Sequence, residues 1–428
     1  MKSMDRKTRT QLCDLLYERI SPETIAAECS KDRMQARAQV KAHLQQILIG
    51  GSVPQIPMNR YAEAIEDMIN SLLGFGPIDD LLSDEEITEV MVNGPKKIFY
   101  ERDGHLFPSD RTFGDEEALR GVIDRIISPL GRRIDEQTPI VNARLKEGHR
   151  VHAIIPPVVL DGPTLTVRKF RAKIYTLSEL AGLGSFPDWI SVLLRWMVLL
   201  RLNIAVTGGT GSGKTTLLNA LSLEIGHGER IITIEDSAEL KFHAHPHVVR
   251  LEARAQNIEG YGEITIRDLV ITSLRMRPDR IVVGEVRGGE ALEMLQAMNT
   301  GHDGSLTTVH ANSPFELISR LTTMVSYNSS MGTDQITAQI ASALDIVIHQ
   351  SRLSDGSRRV TSICEVVPDK EAGCRLVEIV RFEQTGLSEN GEVVGRNTLC
   401  HRPLFLDDLA IKGIATRREV LTWQAQTR

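Results

Sequence analysis

The sequence is short of several things that would steer a reading elsewhere. Its five cysteines (Cys13, Cys29, Cys364, Cys374, Cys400) are widely spaced and form no C-x-x-C pair. That excludes a disulfide framework and a zinc knuckle and leaves the reduced thiols of a cytosolic protein. Aromatic residues make up only 4%, too few for a base-stacking platform. There is no basic excess: 50 lysines and arginines face 56 acids, a net charge of −6, which argues against a nucleic-acid partner. The first ten residues are charged and no apolar run follows them, so no secretory leader is expected. The richest apolar stretch, 189–206, is broken by Arg195 and Arg201 and is too charged to span a bilayer. Work at a membrane would therefore depend on partners.

What remains is an ordinary globular composition, 41% hydrophobic and 25% charged over 428 residues, enough for two or three domains. Leu12, Leu15, Leu16 and Ile20, then Met34, Val40, Leu44, Ile47 and Leu48, recur at helical spacing, so residues 1–51 are expected to form a helical bundle. A proline-containing linker, 52–59, leads to a smaller α+β domain, 60–171. Within it 61–73 and 115–127 read as helices, and 89–93, 97–101, 151–155 and 164–170 as strands. From 172 to 428 strands alternate with helices, the pattern of a parallel sheet. Past Asp345 the turn pairs Asp355-Gly356 and Asn390-Gly391 predict antiparallel hairpins at the sheet edge. The fold class is α/β, with a parallel core sheet and an antiparallel C-terminal extension.

The chemistry concentrates in that last domain. Gly208, Gly209, Thr210, Gly211, Ser212, Gly213, Lys214 and Thr215 satisfy G-x-x-x-x-G-K-[ST], with Thr216 following. A buried strand, 203–207, leads in and a leucine-bearing helix leads out, which is the context this motif requires. Glycines there let backbone N–H groups converge on phosphate oxygens at a helix N-terminus. Lys214 would reach the β- and γ-phosphates and Thr215 would offer a hydroxyl to Mg²⁺. Two further apolar strands end in acids: 231–235 closes on Glu235 and Asp236, and 280–285 on Glu285. Parallel strands deliver their carboxyl ends to one crevice, so Glu235, Asp236 and Glu285 can all face a metal and a γ-phosphate. No N-K-x-D segment for guanine is present, which favours ATP.

The order of motifs resembles the secretion-superfamily ATPases, the traffic motors of type II and type IV secretion and type IV pili. The phosphate loop is joined by Ile234-Glu-Asp-Ser-Ala-Glu-Leu240, by 277–287 around the second acidic strand, and by 301–312, which carries His302 and His310. The resemblance spans about 60–410 and sharpens to the CpaF/TadA branch, the motors of tight-adherence (Flp-type) pili. It does so on Glu89-Val-Met-Val-Asn-Gly-Pro95, Asn142-Ala-Arg-Leu145 and Asn257-Ile-Glu-Gly260. It implies a RecA-like motor domain, six identical subunits in a ring, ATP and Mg²⁺ as ligands, and inner-membrane platform proteins as partners on the cytoplasmic side. It further implies that Arg150 and Arg168 act in catalysis with Glu285, Lys214 and Glu235, and that Arg144 and Arg275 help bind nucleotide. Mg²⁺ would be held by Thr215, Asp236 and Glu285, and His302 and His310 would sense nucleotide state. Thr307 stands where the family has glycine, which would stiffen a turn there. A RecA-like nucleic-acid translocase and a non-hydrolysing nucleotide-gated scaffold are the rival readings.

Overall fold

The computed structural model describes residues 6–22, 24–25, 28, 33–102, 104–130, 132–145, 148–169, 174–242, 245–254, 256 and 261–427. The segment 257–260, quoted above for the family resemblance, lies outside the described residues. The chain divides into two compact units, Met1–Arg171 and Ala172–Arg428.

In the first unit, helices α1 (Arg6–Tyr17), α2 (Arg33–Ile49) and α3 (Tyr61–Leu72) share one core. Leu12, Leu16, Val40, Leu44 and Ile47 meet Ile65, Met68 and Ile69 there. The sequence predicts α3 as the start of the α+β domain. Instead its apolar stripe is spent on the two preceding helices, because the buried positions 65, 68 and 69 face that way. Among the described residues, six strands then make an antiparallel sheet in the order β3-β2-β1-β6-β5-β4. They are β1 (Ile87–Asn93), β2 (Ile98–Arg102), β3 (His105–Pro108), β4 (Ile140–Arg144), β5 (Arg150–Ile154) and β6 (Thr164–Arg168). Helix α4 (Glu116–Ile127), capped by the Asp115 carboxylate on Ala118 N–H at 2.8 Å, covers one face. Its Leu119, Ile123 and Ile126 pack on Val90, Val151, Ala153, Leu165 and Val167. Strand residues alternate faces, so Arg150 and Arg168 point to the side opposite Val151 and Val167.

The second unit is built on a nine-stranded sheet, among the described residues, in the order β15-β14-β13-β12-β7-β11-β10-β8-β9. The parallel part comprises β7 (Ile204–Gly208), β8 (Ile231–Glu235), β9 (Val248–Glu252), β10 (Arg280–Val286), β11 (Leu306–His310) and β12 (Ile346–Arg352). All five residues of β7 and of β8 are buried, as expected of strands covered on both faces. Helices α5 (Asp188–Leu199) and α6 (Lys214–Ser222) cover one face through Leu193, Met197, Leu217 and Leu221. Helices α7 (Ile266–Ser273), α8 (Ala291–Asn299), α9 (Pro314–Ser326) and α10 (Thr333–Ala343) cover the other. The antiparallel extension is β13 (Arg358–Asp369), β14 (Gly373–Leu387) and β15 (Val393–Leu399). As the sequence predicts, Asp355-Gly356 turns β12 into β13 and Asn390-Gly391 turns β14 into β15 as antiparallel hairpins, while the other side of β12 runs parallel to β7. Thr307 sits in β11, fully buried and paired with Ala205, so it stiffens no turn.

One buried charge fixes where β10 begins. Arg280 is 1% exposed; its Nε and Nη2 donate to the Glu229 carboxylate at 2.7 and 3.0 Å, and Nη2 also donates to Val198 O at 2.9 Å. Bidentate pairing of this kind offsets the cost of taking a guanidinium out of water. The strand leaves that anchor and carries Glu285 to the far edge of the sheet.

Candidate active site

Four parallel strands deliver side chains to one edge. Gly208 ends β7, His310 ends β11, Glu285 lies near the end of β10, and Glu235 ends β8. With the order β7-β11-β10-β8 and about 4.8 Å between neighbours, the acidic strands lie roughly 10 and 14 Å from the phosphate-loop strand. The loop itself turns on Gly213, the N-cap of α6, whose φ of +98° is costly for any side-chain-bearing residue. Lys214 opens the helix and folds its ammonium back over the loop, donating to Gly208 O at 3.0 Å and Gly209 O at 3.1 Å. Thr215 and Thr216 follow in the first turn, where backbone N–H groups have no partner within the helix.

The two acidic strands treat their carboxylates differently. Glu235 is 3% exposed and its Oε2 accepts from the N–H groups of Glu239 and Leu240 at 2.6 and 2.8 Å. Its Oε1 is buried and has no hydrogen-bond partner. The side chain runs against Gly284, where an added Cβ would lie 2.9 Å from Glu235 Cγ, so it lies directly beside the residue preceding Glu285. Burial pushes the Glu235 carboxyl up to about 7, and the two N–H donors only partly oppose it. Glu285 is more open, and Arg287 grips its Oε2 with Nε and Nη2 at 2.9 and 2.6 Å. Arg287 also approaches Asp236 at 3.9 Å, so one arginine ties the ends of both acidic strands. The sequence alone gives Arg287 no role, since an arginine two residues past an acid is unremarkable until β8 and β10 are known to be neighbours.

The raised Glu235 value has a stability consequence. The ionised form is penalised by folding, so the group costs stability progressively as pH climbs from its ordinary 4.5 through about 7. Glu235→Gln keeps an oxygen for the two N–H donors and cannot ionise. It should melt close to the wild type at pH 5 and a few degrees above it at pH 8. A gap that does not change between those pH values in thermal melts would show that the carboxyl does not titrate there.

In the first unit the register gathers three arginines. Arg144 pairs with Arg150 across β4 and β5, Arg150 with Arg168 across β5 and β6, and Arg168 with Glu89 on β1. Like charges directly opposed in a sheet repel, so this row favours an anion alongside it. Burial pushes the Glu89 carboxyl up, with Arg168 pulling it back.

A family profile described as type II/IV secretion system protein matches residues 71–403. The chain belongs to the type II/IV secretion system protein family. It is a secretion-superfamily ATPase. A putative conjugal transfer protein of Mycobacterium tuberculosis is 41% identical over 300 residues, spanning 68% of this chain and 84% of the relative. A type IV secretion system protein VirB11 of Bartonella quintana is 30% identical over 325 residues, spanning 67% and 90%. The crystal structure of the Legionella pneumophila ATPase DotB superposes with a TM-score of 0.50 at 23% identity, covering 69% of this chain and 80% of that one. That last likeness speaks for the fold.

This ATPase does not bring every expected residue to the phosphate-loop edge. His310 is in register with Gly208 on the neighbouring strand. His302 precedes β11 and so lies at the opposite edge, where its Nδ1 is 3.2 Å from Ala297 O. Five strand residues, roughly 16 Å, separate the two ends of β11, so the two histidines cannot read one phosphate within a single subunit. Arg275 follows α7 and comes just before β10, again at the opposite edge; it is exposed, with Nη1 on Ile271 O at 3.3 Å. Among the described residues no three His, Cys, Asp or Glu side chains form a metal cluster. A cation beside Thr215 and the acids would take its remaining ligands from phosphate oxygens and water, as Mg²⁺ does. The unpartnered Glu235 Oε1 fits that arrangement.

Proposed function

We propose that this protein hydrolyses Mg·ATP as a subunit of a homohexameric ring on the cytoplasmic face of a bacterial inner membrane. Its conformational work drives assembly of a tight-adherence pilus, or protein secretion, through an inner-membrane platform. The observation that carries the reading is the convergence of the phosphate loop with Glu235, Asp236 and Glu285 on one edge of a parallel sheet. The names of its relatives, conjugal transfer protein and type IV secretion system protein, support the machine. The pilus branch rests on the sequence resemblance alone. Among the described residues no helix is long and apolar enough to cross a membrane, so attachment through a platform partner suits the chain.

In this reading Gly208 to Gly213 present backbone N–H groups to the phosphates, and Lys214 adds a point charge to the β- and γ-groups. Thr215, Asp236 and Glu285 would hold Mg²⁺, which when bound offsets phosphate charge. Glu285 orients the attacking water; Glu235, poised near neutrality, is the second carboxylate able to accept a proton. Arg150 and Arg168, with Arg144 beside them, supply guanidinium groups to the transferring phosphoryl. His310 senses the phosphate from the adjacent strand. Arg275, exposed at the opposite edge, could serve a nucleotide only across a subunit boundary.

Light scattering with and without a non-hydrolysable ATP analogue, paired with phosphate release, tests the proposal. Six-subunit particles and Mg²⁺-dependent release are expected. A monomer at micromolar concentration under both conditions would contradict the ring. Rings that bind ATP without releasing phosphate would favour the scaffold, and tight, salt-dependent DNA binding the translocase.

A further inference from the structure

The phosphate loop is held from behind by a hairpin far away in sequence. β12 passes so close to Gly208 that an added Cβ would lie 2.1 Å from Gln350 O. At Gly213 an added Cβ would lie 3.1 Å from Gln350 Nε2 and 3.2 Å from Arg358 Cδ. Gln350 is 2% exposed, so this is packed wall rather than loose surface. Arg358, the first residue of β13, donates its Nε–H to Gly211 O at 2.9 Å, across 147 residues of chain.

That single bond has a directional consequence. The Gly211–Ser212 peptide is planar and trans, so its C=O and N–H point in opposite directions. Holding the Gly211 carbonyl outward turns the Ser212 N–H inward, into the hollow of the loop. There it makes only a long contact, 3.4 Å, to Gly209 O, which a phosphate oxygen could replace. The arginine is delivered to its place by anchors on either side. Asp355 accepts from Ser357 N–H, Ser357 Oγ–H and Val393 N–H at 2.9, 2.6 and 2.7 Å, which fixes the turn before it. Arg359, after it, lies 5.1 Å from the Phe382 ring centroid and donates to Val393 O at 2.8 Å.

We propose that Arg358 is a positioning residue for nucleotide binding: it presets the Gly211–Ser212 peptide so that the Ser212 N–H faces a phosphate oxygen. The inference rests on the phosphate-loop reading above. It concerns the phosphate common to ADP and ATP, because the loop's N–H groups act there, and it leaves the chemical step to other residues.

Equilibrium titration of the full chain with ADP and with a non-hydrolysable ATP analogue, alongside steady-state kinetics, tests it. Arg358→Ala should weaken both ligands by the same factor, about tenfold, the size expected of one charge-assisted hydrogen bond. KM for ATP should rise in step, with kcat at saturation within about twofold of wild type. Arg358→Lys, which can still donate to the carbonyl, should recover part of the loss. Unchanged binding in Arg358→Ala would overturn the proposal. So would a loss confined to the ATP analogue, which would mean contact with the γ-phosphate instead. Lys214→Ala separates the two levels of the argument. If it binds ADP normally, the phosphate-loop reading has failed; if it binds weakly while Arg358→Ala binds normally, only the positioning role has. A melting temperature without nucleotide confirms folding, and should Arg358→Ala melt early, Arg358→Gln carries the same comparison.

Discussion

Alanine at Arg150 or at Arg168 is expected to lower kcat by roughly 10³-fold while sparing most nucleotide binding. The γ-phosphoryl group spreads negative charge over three oxygens as it transfers, and a planar guanidinium can meet two of them at once. The register supplies the means. Arg168 sits opposite Arg150, and Arg150 opposite Arg144, so three cations share one row on the face of the sheet away from its core. Binding should survive because the phosphate loop lies in the other unit and keeps its own N–H groups and lysine. The two losses should not add. If both arginines act in one assembled state, the double variant is little worse than the worse single one. Steady-state kinetics with parallel ADP titrations checks this. Additive defects would mean that each arginine acts alone, and full activity that the row serves some other anion.

How much of this was legible depended on whether a signal was local. The strand, glycine loop and helix around Lys214 could be read directly, because a fully buried strand is an uninterrupted apolar run and the loop's glycines mark its turn. The acidic strands were equally plain, each an apolar run ending on Glu235 or Glu285. β4 was not, since its burial alternates with only Val141 fully buried, and Ile140 and Asn142 exposed, so it lacks the apolar signature of a strand. The arginine row was half legible: Arg150 and Arg168 stood out by resemblance, but their pairing required the strand order. The helix 61–72 shows the converse case. Its amphipathic stripe was evident, and which neighbour would cover it was not. Arg287 and Arg358 act through partners that sequence does not place beside them. The positions of His302 and Arg275 are hidden for the same kind of reason, since which edge of a sheet a residue reaches depends on strand direction.

The most direct test of the account is phosphate release from Mg·ATP by the wild type, Lys214→Ala and Glu285→Gln. Lys214 contributes the loop's only side-chain cation, so its removal should weaken ATP binding and cut release by at least about a hundredfold. The fold should persist, because the ammonium lies over the loop, donating to its own carbonyls at Gly208 and Gly209, on the side where a ligand binds. Glu285→Gln keeps size and hydrogen bonding but loses the charge that orients water. It should bind ATP as the wild type does and release phosphate about 10² to 10⁴ times more slowly. That pair of defects, one in binding and one in turnover, is expected against a wild type that turns over steadily. Near-normal release by Lys214→Ala would contradict it.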